Sequence, residues 1–346
     1  KFDLLSRESL LLANNLLLLV AAGSILLGTL YPLIIDALGL GKLSVGPPYF
    51  EAVFVPMMTP AIFLIGVGPI ARWKQMSLPT LVVRLRWAFA VSVISALIAP
   101  YFMGEWKPLV SFGLLLAFWI VVCAVVNLKH RLNNSGAGNI FTKLARQSRS
   151  YYGMHCAHIG VAVFIIGVTL VNGYETEKDV RMDIGSKVTV GGYTFQFNGT
   201  SDVVGPNYKA VRGDIAVIHD DKTIRTLHPE KRTYNASGMA MTEAAIDTGL
   251  FRDLYIALGE PLANNAWVVR AYHKPFVDWI WLGCLLMAIG GILSVTDRRY
   301  RLKVSKTSPS KTQQEENEDA KEEIPVVGTA VSSISHSVLS PETRKV

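Results

Sequence analysis

Two histidines, His155 and His158, stand near the start of an apolar run over residues 151–170 that is long enough to cross a bilayer. An ionisable side chain at membrane depth is costly, so its usual meaning is functional. Imidazole is also a strong ligand for haem iron and other transition metals. Residues three apart share a helix face, so one of the two could ligate iron while the other lies nearer the interface, and His158 is the deeper of the pair.

A structural role for the same residues stays open at this point. Tyr151, Tyr152 and His155 are residue types that anchor a helix at the membrane interface, and His158 could hydrogen-bond a neighbouring helix. A six-coordinate haem would need a second axial ligand, and none of the other predicted spans contains a histidine. The second ligand must therefore come from another segment or another chain.

The composition indicates a membrane protein. Half of the 346 residues are apolar and only 18% are charged, which is unusual for a soluble domain. The net charge of +7 does not predict nucleic-acid binding, because lysines and arginines cluster beside the apolar runs. Walker, dinucleotide-binding and nucleophile-elbow motifs are absent from the sequence, so nucleotide cofactor chemistry is unsupported. Because the chain begins at Lys1 without an initiator methionine, we expect the later part of a longer polypeptide.

Six apolar segments are predicted to cross the membrane: Ser9–Tyr31, Val53–Ile70, Trp87–Met103, Leu109–Asn127, Tyr152–Asn172 and Phe276–Val295. Basic residues follow the second, fourth and sixth of them: Arg72, Lys74, Arg84, Arg86, Lys129, Arg131, Lys143, Arg146, Arg149, Arg298, Arg299 and Arg301. By the positive-inside rule these linkers are cytoplasmic. The long segment between the fifth and sixth spans then lies outside.

The predicted fold class is an α-helical polytopic membrane protein with a small β-rich extracytoplasmic domain. Residues 1–172 hold five transmembrane helices with short loops, 173–274 the periplasmic β-rich domain, 275–297 the sixth helix, and 298–346 a basic juxtamembrane segment and a disordered cytoplasmic tail. Alternating stretches predict strands at Lys187–Val190, Tyr193–Phe197, Asp214–Ile218 and Trp267–Ala271.

Charged and polar residues of the outer domain are predicted to be structural. The segment Met239–Leu258 is compatible with a short helix, on which Glu243 and Asp247 would lie one turn apart. Without a nucleophile or base beside them, a salt-bridge role is favoured over acid–base chemistry. Three histidines lack metal-ligand spacing and are predicted to be surface residues: His219, His228 and His273.

Long strings of the sequence resemble the CcmF family of cytochrome c maturation proteins. They include LLSRESLLLANN (4–15), LGTLYPL (27–33), SVGPPYF (44–50), GPNYKAVRG (205–213), PEKRTY (229–234), MTEAAIDTGLFRDLYIALGEP (241–261) and WVVRAYHKPFVDWIW (267–281). The resemblance extends from Lys1 to Arg301, and the remaining residues carry none of it.

The resemblance implies a component of the haem lyase of the bacterial inner membrane. Haem delivered by the chaperone CcmE would be joined through thioether bonds to the CxxCH thiols of apocytochrome c, with CcmH-type thiol-handling subunits as further partners. Family members also hold a membrane b-type haem between two histidines on different helices. His158, in the string CAHIGVAV, best matches one of these axial ligands to the haem iron, and His155 is the second candidate.

Other family features are absent from this sequence, namely an outward-facing Trp-rich motif, two outer histidines that flank it and a second membrane histidine. They belong to the amino-terminal half of CcmF, so the resemblance implies a carboxy-terminal half that needs the other half as its partner. Alone, it is expected to be inactive and to bind no haem stably. Two rival functions remain: a membrane haem transporter subunit and a non-catalytic assembly scaffold.

Overall fold

The computed structural model describes residues 6–71 and 77–297. Within them, six helices are long and apolar enough to cross a membrane, as predicted. Their bounds are α1 Arg7–Ala37, α2 Pro47–Val67, α3 Leu78–Ile98, α4 Pro108–Asn133, α6 Arg149–Tyr174 and α7 Val277–Val295, with a short α5 at Ile140–Ala145. Arg72, Lys74 and the predicted tail after residue 297 lie outside the described residues.

Local sequence explains where the helices begin. The Ser6 hydroxyl accepts a hydrogen bond from the Ser9 N–H at the start of α1, and the Ser148 hydroxyl accepts one from the Tyr151 N–H at the start of α6. Proline occupies the first turn of α2, α3 and α4, where its missing N–H costs nothing. The cap at Ser148 fixes where α6 begins.

Helices α6 and α7 touch through their backbones. Gly153, Gly160 and Gly167 recur every seven residues on α6. Gly153 lies against Gly290 of α7, Gly160 against Gly283, and Gly167 against Ile280. A Cβ atom at Gly160 would lie 2.7 Å from the Met287 backbone nitrogen, and one at Gly290 would lie 2.5 Å from the Ala157 backbone nitrogen. In a membrane, where burial of apolar surface gives little drive, such close packing holds helices together.

Helix α4 lies at the centre of the bundle. Its residues Ala117 and Ile120 are buried against Ala162 of α6. On another face, the Trp119 ring stacks on Phe63 of α2 with centroids 4.8 Å apart, and its Nε1–H donates to the Phe63 carbonyl at 3.0 Å. Helix α4 thus joins α2 to α6.

Ten strands between α6 and α7 form two antiparallel sheets, which we call the sandwich domain. They are β1 Thr176–Met182, β2 Lys187–Val190, β3 Tyr193–Val204, β4 Tyr208–His219, β5 Lys222–Leu227, β6 Glu230–Tyr234, β7 Ala240–Glu243, β8 Ala245–Asp247, β9 Arg252–Pro261 and β10 Trp267–Pro275. One sheet has the order β1-β10-β9-β8, and the other has the order β2-β3-β4-β6-β7 with β5 also paired to β4. The predicted strands at Lys187–Val190, Tyr193–Phe197, Asp214–Ile218 and Trp267–Ala271 lie within β2, β3, β4 and β10.

The two sheets share one apolar core. Phe195 and Phe197 of β3 and Ile215 of β4 pack against Leu254 and Ile256 of β9, and all five are fully buried. Alternate residues of β3 and β4 point inward, which is the period expected of a half-buried strand.

The short helix allowed at Met239–Leu258 is wrong, because β7, β8 and β9 occupy this segment. The alternation of Leu254, Ile256 and Leu258 into the core has period two, which overrides the one-turn spacing of Glu243 and Asp247. The salt-bridge role predicted for those two residues is confirmed. Glu243 pairs with Arg232 at 3.3 Å, and Asp247 pairs with Arg225 and with Arg252.

A buried carboxylate joins two strands of the larger sheet. Glu230 is buried, and its two oxygens each lie 2.7 Å from a guanidinium nitrogen, one of Arg212 and one of Arg232. The hydrogen bond from Arg232 and those from Arg212 lower the pKa of Glu230, despite the opposing effect of burial. The ionised form therefore stabilises the fold above pH ~4.3, the pKa of an unfolded glutamate, and this contribution is lost as pH falls through the lower folded pKa.

Replacing Glu230 by Gln should destabilise the sandwich domain at pH 7 by about 1–3 kcal/mol, because a buried charge-assisted network is lost. Thermal unfolding followed by circular dichroism should show a large gap between wild type and variant at pH 7 and a smaller one below pH ~4. The exposed Glu177→Gln is the control and should change stability by less than about 1 kcal/mol. An equal effect of both substitutions would contradict the assignment.

Adjacent glycines on α7 give a matched test of the helix contact. Gly290→Ala should destabilise the bundle by about 1–3 kcal/mol, since its Cβ would meet α6 backbone. Gly291→Ala meets nothing within 4 Å and should leave stability unchanged or slightly raised, as alanine favours helices. Melting temperatures in detergent would measure both, and a tolerated Gly290→Ala would refute the close contact.

Candidate functional site

His155 is tied to helix α4. Its Nε2–H donates to the Asn127 side-chain carbonyl at 3.2 Å, and its ring meets the Tyr151 ring edge to face at a centroid distance of 4.5 Å. Both contacts orient the ring toward the polar end of the bundle. The imidazole of His155 is therefore occupied by structural contacts.

Asn127 is the polar centre of this end of the bundle. Its Nδ2 donates to the Pro69 carbonyl at 2.9 Å, just beyond α2, and its Oδ1 accepts from both His155 and the Tyr151 hydroxyl, the latter at 2.9 Å. One amide thus joins α4 to α6 and to the end of α2. In an apolar surrounding, such a satisfied network is more rigid than apolar packing alone.

His158 lies one helical turn deeper and has a different environment. It lines a cavity of about 280 Å³ between α1, α2 and α6, which we call the histidine cavity. Its other lining residues are mainly apolar: Leu10, Leu11, Leu64, Ile65, Gly68, Pro69 and Met154, with Arg7 and Asn14. In the described ranges 6–71 and 77–297, no group hydrogen-bonds its imidazole. The lone pair of this ring is available to a ligand.

A second, polar cavity of about 430 Å³ adjoins the first at the end of the bundle, and we call it the basic cavity. It is lined by Arg7, Pro69, Ile70, Arg84, Val126, Asn127, His130, Arg131, Asn134, Ser148, Ser150, Tyr151 and Met154. From the sequence, the arginines of this cavity were expected only to set the orientation of the helices in the membrane. Convergence of α1, α3, α4 and α6 at this end brings them together.

The sandwich domain holds a stacked cluster that the sequence did not predict. The Tyr193 ring stacks with the rings of His219 and His273, at centroid distances of 4.4 Å and 5.9 Å. The Arg252 guanidinium lies 5.0 Å from the same ring, and its Nε donates to the Tyr193 hydroxyl at 3.3 Å. The tyrosine thus holds two strands' histidines and a guanidinium in one cluster.

His219 and His273 are both only partly exposed, because their rings pack in this stack, so neither is the simple surface residue that the sequence predicted. A Cβ atom at Gly191, which has φ +57°, would overlap the His273 ring, so only glycine fits this turn. In the sequence, the Gly191–Gly192 pair was the one sign that another side chain covers a turn here, and the structure shows that side chain to be His273. Burial, together with the charge of Arg252, lowers the pKa of His273, so this ring is neutral at physiological pH. His228 is exposed, as predicted.

Metal chemistry based on several protein ligands has no support in residues 6–71 and 77–297. No group of three or more His, Cys, Asp or Glu residues there is arranged to hold an ion. Iron in a porphyrin needs only axial ligands from the protein, and a single imidazole can be one of them. His158 fits that role. The apolar walls and the unengaged ring of the histidine cavity suit that ligand.

Comparison with known proteins identifies related sequences. Residues 173–275 match the family described as CcmF C-terminal beta-sandwich. The cytochrome c-type biogenesis protein CcmF of Pseudomonas aeruginosa is 47% identical over 303 residues, which are 88% of this chain and 46% of that protein. CcmF of Escherichia coli is 44% identical over 307 residues, covering 88% of this chain and 46% of that protein.

A solved structure supports the fold. The chain of a protein titled Cytochrome c Heme Lyase CcmF matches with a TM-score of 0.67 and 22% identity, over 85% of this chain and 46% of that one. This chain therefore spans less than half the length of the relatives it matches. The six helices and the sandwich domain together recur in that architecture.

Asn127→Leu should destabilise the bundle by about 1–3 kcal/mol, because the Pro69 carbonyl, the Tyr151 hydroxyl and the His155 ring each lose their partner. Tyr151→Phe should cost less, since Asn127 keeps its other two bonds. Melting temperatures in detergent would rank the variants, with the exposed Asn133→Leu as a control within about 0.5 kcal/mol of wild type. Equal stability of Asn127→Leu and wild type would show that the network is dispensable.

Proposed function

We propose that this chain, which belongs to the CcmF family of cytochrome c-type biogenesis proteins, forms the membrane-embedded carboxy-terminal part of a haem lyase. In that assembly, haem from the chaperone CcmE is joined to the CxxCH thiols of apocytochrome c. Since the chain spans less than half of its relatives, the activity requires the part of the family protein that the match leaves out. The chain alone is expected to be inactive.

The observation that carries the proposal is the unengaged imidazole of His158 in an apolar cavity. His158 is the proposed axial ligand of a membrane haem b, and His155 is not, because Asn127 already holds its Nε2–H. The histidine cavity is at the small end of the range for ligand pockets, so it would enclose only one part of a porphyrin. The remaining wall and the second axial ligand come from the rest of the assembly.

When bound, a haem b would supply one-electron chemistry at its iron. The residues of this chain have simpler roles. His158 would hold the iron through one ring nitrogen, and Leu10, Leu64 and Ile65, which line the same cavity, would exclude water from that side. Asn127 keeps His155 turned away, so one ring only is presented to the iron.

The orientation in the membrane follows from charge. The chain is an integral membrane protein, and Arg84, Lys129, Arg131 and Lys143 lie near the bundle end opposite the sandwich domain. By the positive-inside rule that end faces the cytoplasm of a bacterial inner membrane. The sandwich domain is then periplasmic, where CcmE, apocytochrome c and CcmH-type thiol-handling subunits would approach.

Haem absorbance tests the ligand assignment. The chain is co-expressed with the unmatched part of the Pseudomonas aeruginosa relative, and the reduced b-type haem spectrum is measured per mole of purified protein. His158→Ala should lose nearly all of this absorbance, whereas His155→Ala should keep most of it, since that ring has a structural role. Full retention in His158→Ala, or loss only in His155→Ala, would reject the assignment. The chain expressed alone should retain no haem.

A further inference from the structure

The basic cavity concentrates positive charge without a described carboxylate among its lining residues. Arginines from three helices line it, Arg7 of α1, Arg84 of α3 and Arg131 of α4, together with His130. The nearby Asp297 carboxylate accepts from the Ser150 N–H at 2.9 Å and does not line the cavity. Arg84 is half-buried, and Arg131 and His130 are exposed at this end of the bundle. Positive charge gathered in one cavity attracts an anion to it.

Two of these arginines are held by neutral groups. Arg84 Nη2 lies 2.8 Å from His130 Nε2, and Arg131 Nε donates to the Gln147 side-chain carbonyl at 2.5 Å. The Arg131 guanidinium also lies 4.3 Å from the Tyr151 ring centroid. In the part of the chain that the structure describes, neither arginine forms an ion pair. Both guanidinium groups are thus positioned but electrically uncompensated.

The basic cavity continues into the histidine cavity. Arg7, Pro69 and Met154 line both. Along α6, Tyr151 beside Arg131 and His158 in the apolar cavity are separated by about 10 Å of helix rise. The combined space offers an imidazole among apolar walls and, roughly a porphyrin radius away, a group of guanidinium donors. A flat apolar metal complex with carboxylates on one edge matches this arrangement, with its metal at the imidazole and its carboxylates at the guanidinium groups.

Resting on the proposed function, we propose that the basic cavity binds the propionate carboxylates of the haem ligated by His158, with Arg84 and Arg131 as their partners. The guanidinium fork matches a carboxylate in two parallel hydrogen bonds. The propionate edge then points to the basic end of the bundle, away from the sandwich domain. By offsetting negative charge near the ring, both arginines favour ferrous over ferric iron and raise its reduction potential.

Three glutamine variants test the proposal in the chain co-expressed with the unmatched part of the Pseudomonas aeruginosa relative. Arg84→Gln and Arg131→Gln should each weaken haem binding about tenfold, the loss expected for one charge-assisted hydrogen bond, and should lower the iron midpoint potential. Arg86→Gln is the matched control, because Arg86 lies over the Trp87 ring at 5.7 Å and lines neither cavity. It should leave haem content and potential unchanged.

Lysine variants distinguish the loss of positive charge from a general loss of folding. Arg84→Lys and Arg131→Lys keep the charge, so their potentials should stay closer to wild type than those of the glutamine variants. Unchanged haem content and potential in folded glutamine variants would overturn the propionate site while His158 stays the ligand. Loss of copurified anionic phospholipid instead of haem would also overturn it, in favour of a lipid headgroup. Absence of haem from the wild-type assembly would refute the proposed function itself, and this inference with it.

Discussion

The backbone contact between α6 and α7 is the constraint on which the rest of the bundle depends. Gly153, Gly160 and Gly167 bring α6 so close to α7 that any side chain there would collide with backbone. This fixes the rotation of α6 about its axis. Residues 151, 155 and 158 are thereby turned to the opposite side, toward α4 and the cavities. The glycines therefore position the histidines without touching them.

With the helix fixed, a single amide separates the roles of two chemically identical rings. Asn127 engages His155 and Tyr151 at the polar end, and leaves His158 facing apolar walls one turn deeper. In His155 the engaged nitrogen is Nε2, which projects farthest from the helix backbone and would be the one to reach an iron. In the proposed function, the ligand is thus selected by what its neighbour is bonded to.

Much of the fold was predictable because its signals are local. Apolar runs long enough to span hydrocarbon predict six helices, and alternation predicts strands such as Lys187–Val190. The helix allowed at Met239–Leu258 failed because charge spacing was weighed above the inward alternation of β9. The site was less accessible to sequence reasoning. Asn127 lies 28 positions from His155, and Arg84 lies 46 from His130, so only tertiary packing shows that these pairs meet.

The most direct test of the central claim is an experimental structure of the haem-loaded assembly that contains this chain and the rest of the family protein. We expect a ring nitrogen of His158 within bonding distance of the haem iron, with His155 still donating to Asn127. A haem iron bound by His155, or a His158 ring facing lipid far from any porphyrin, would contradict the account.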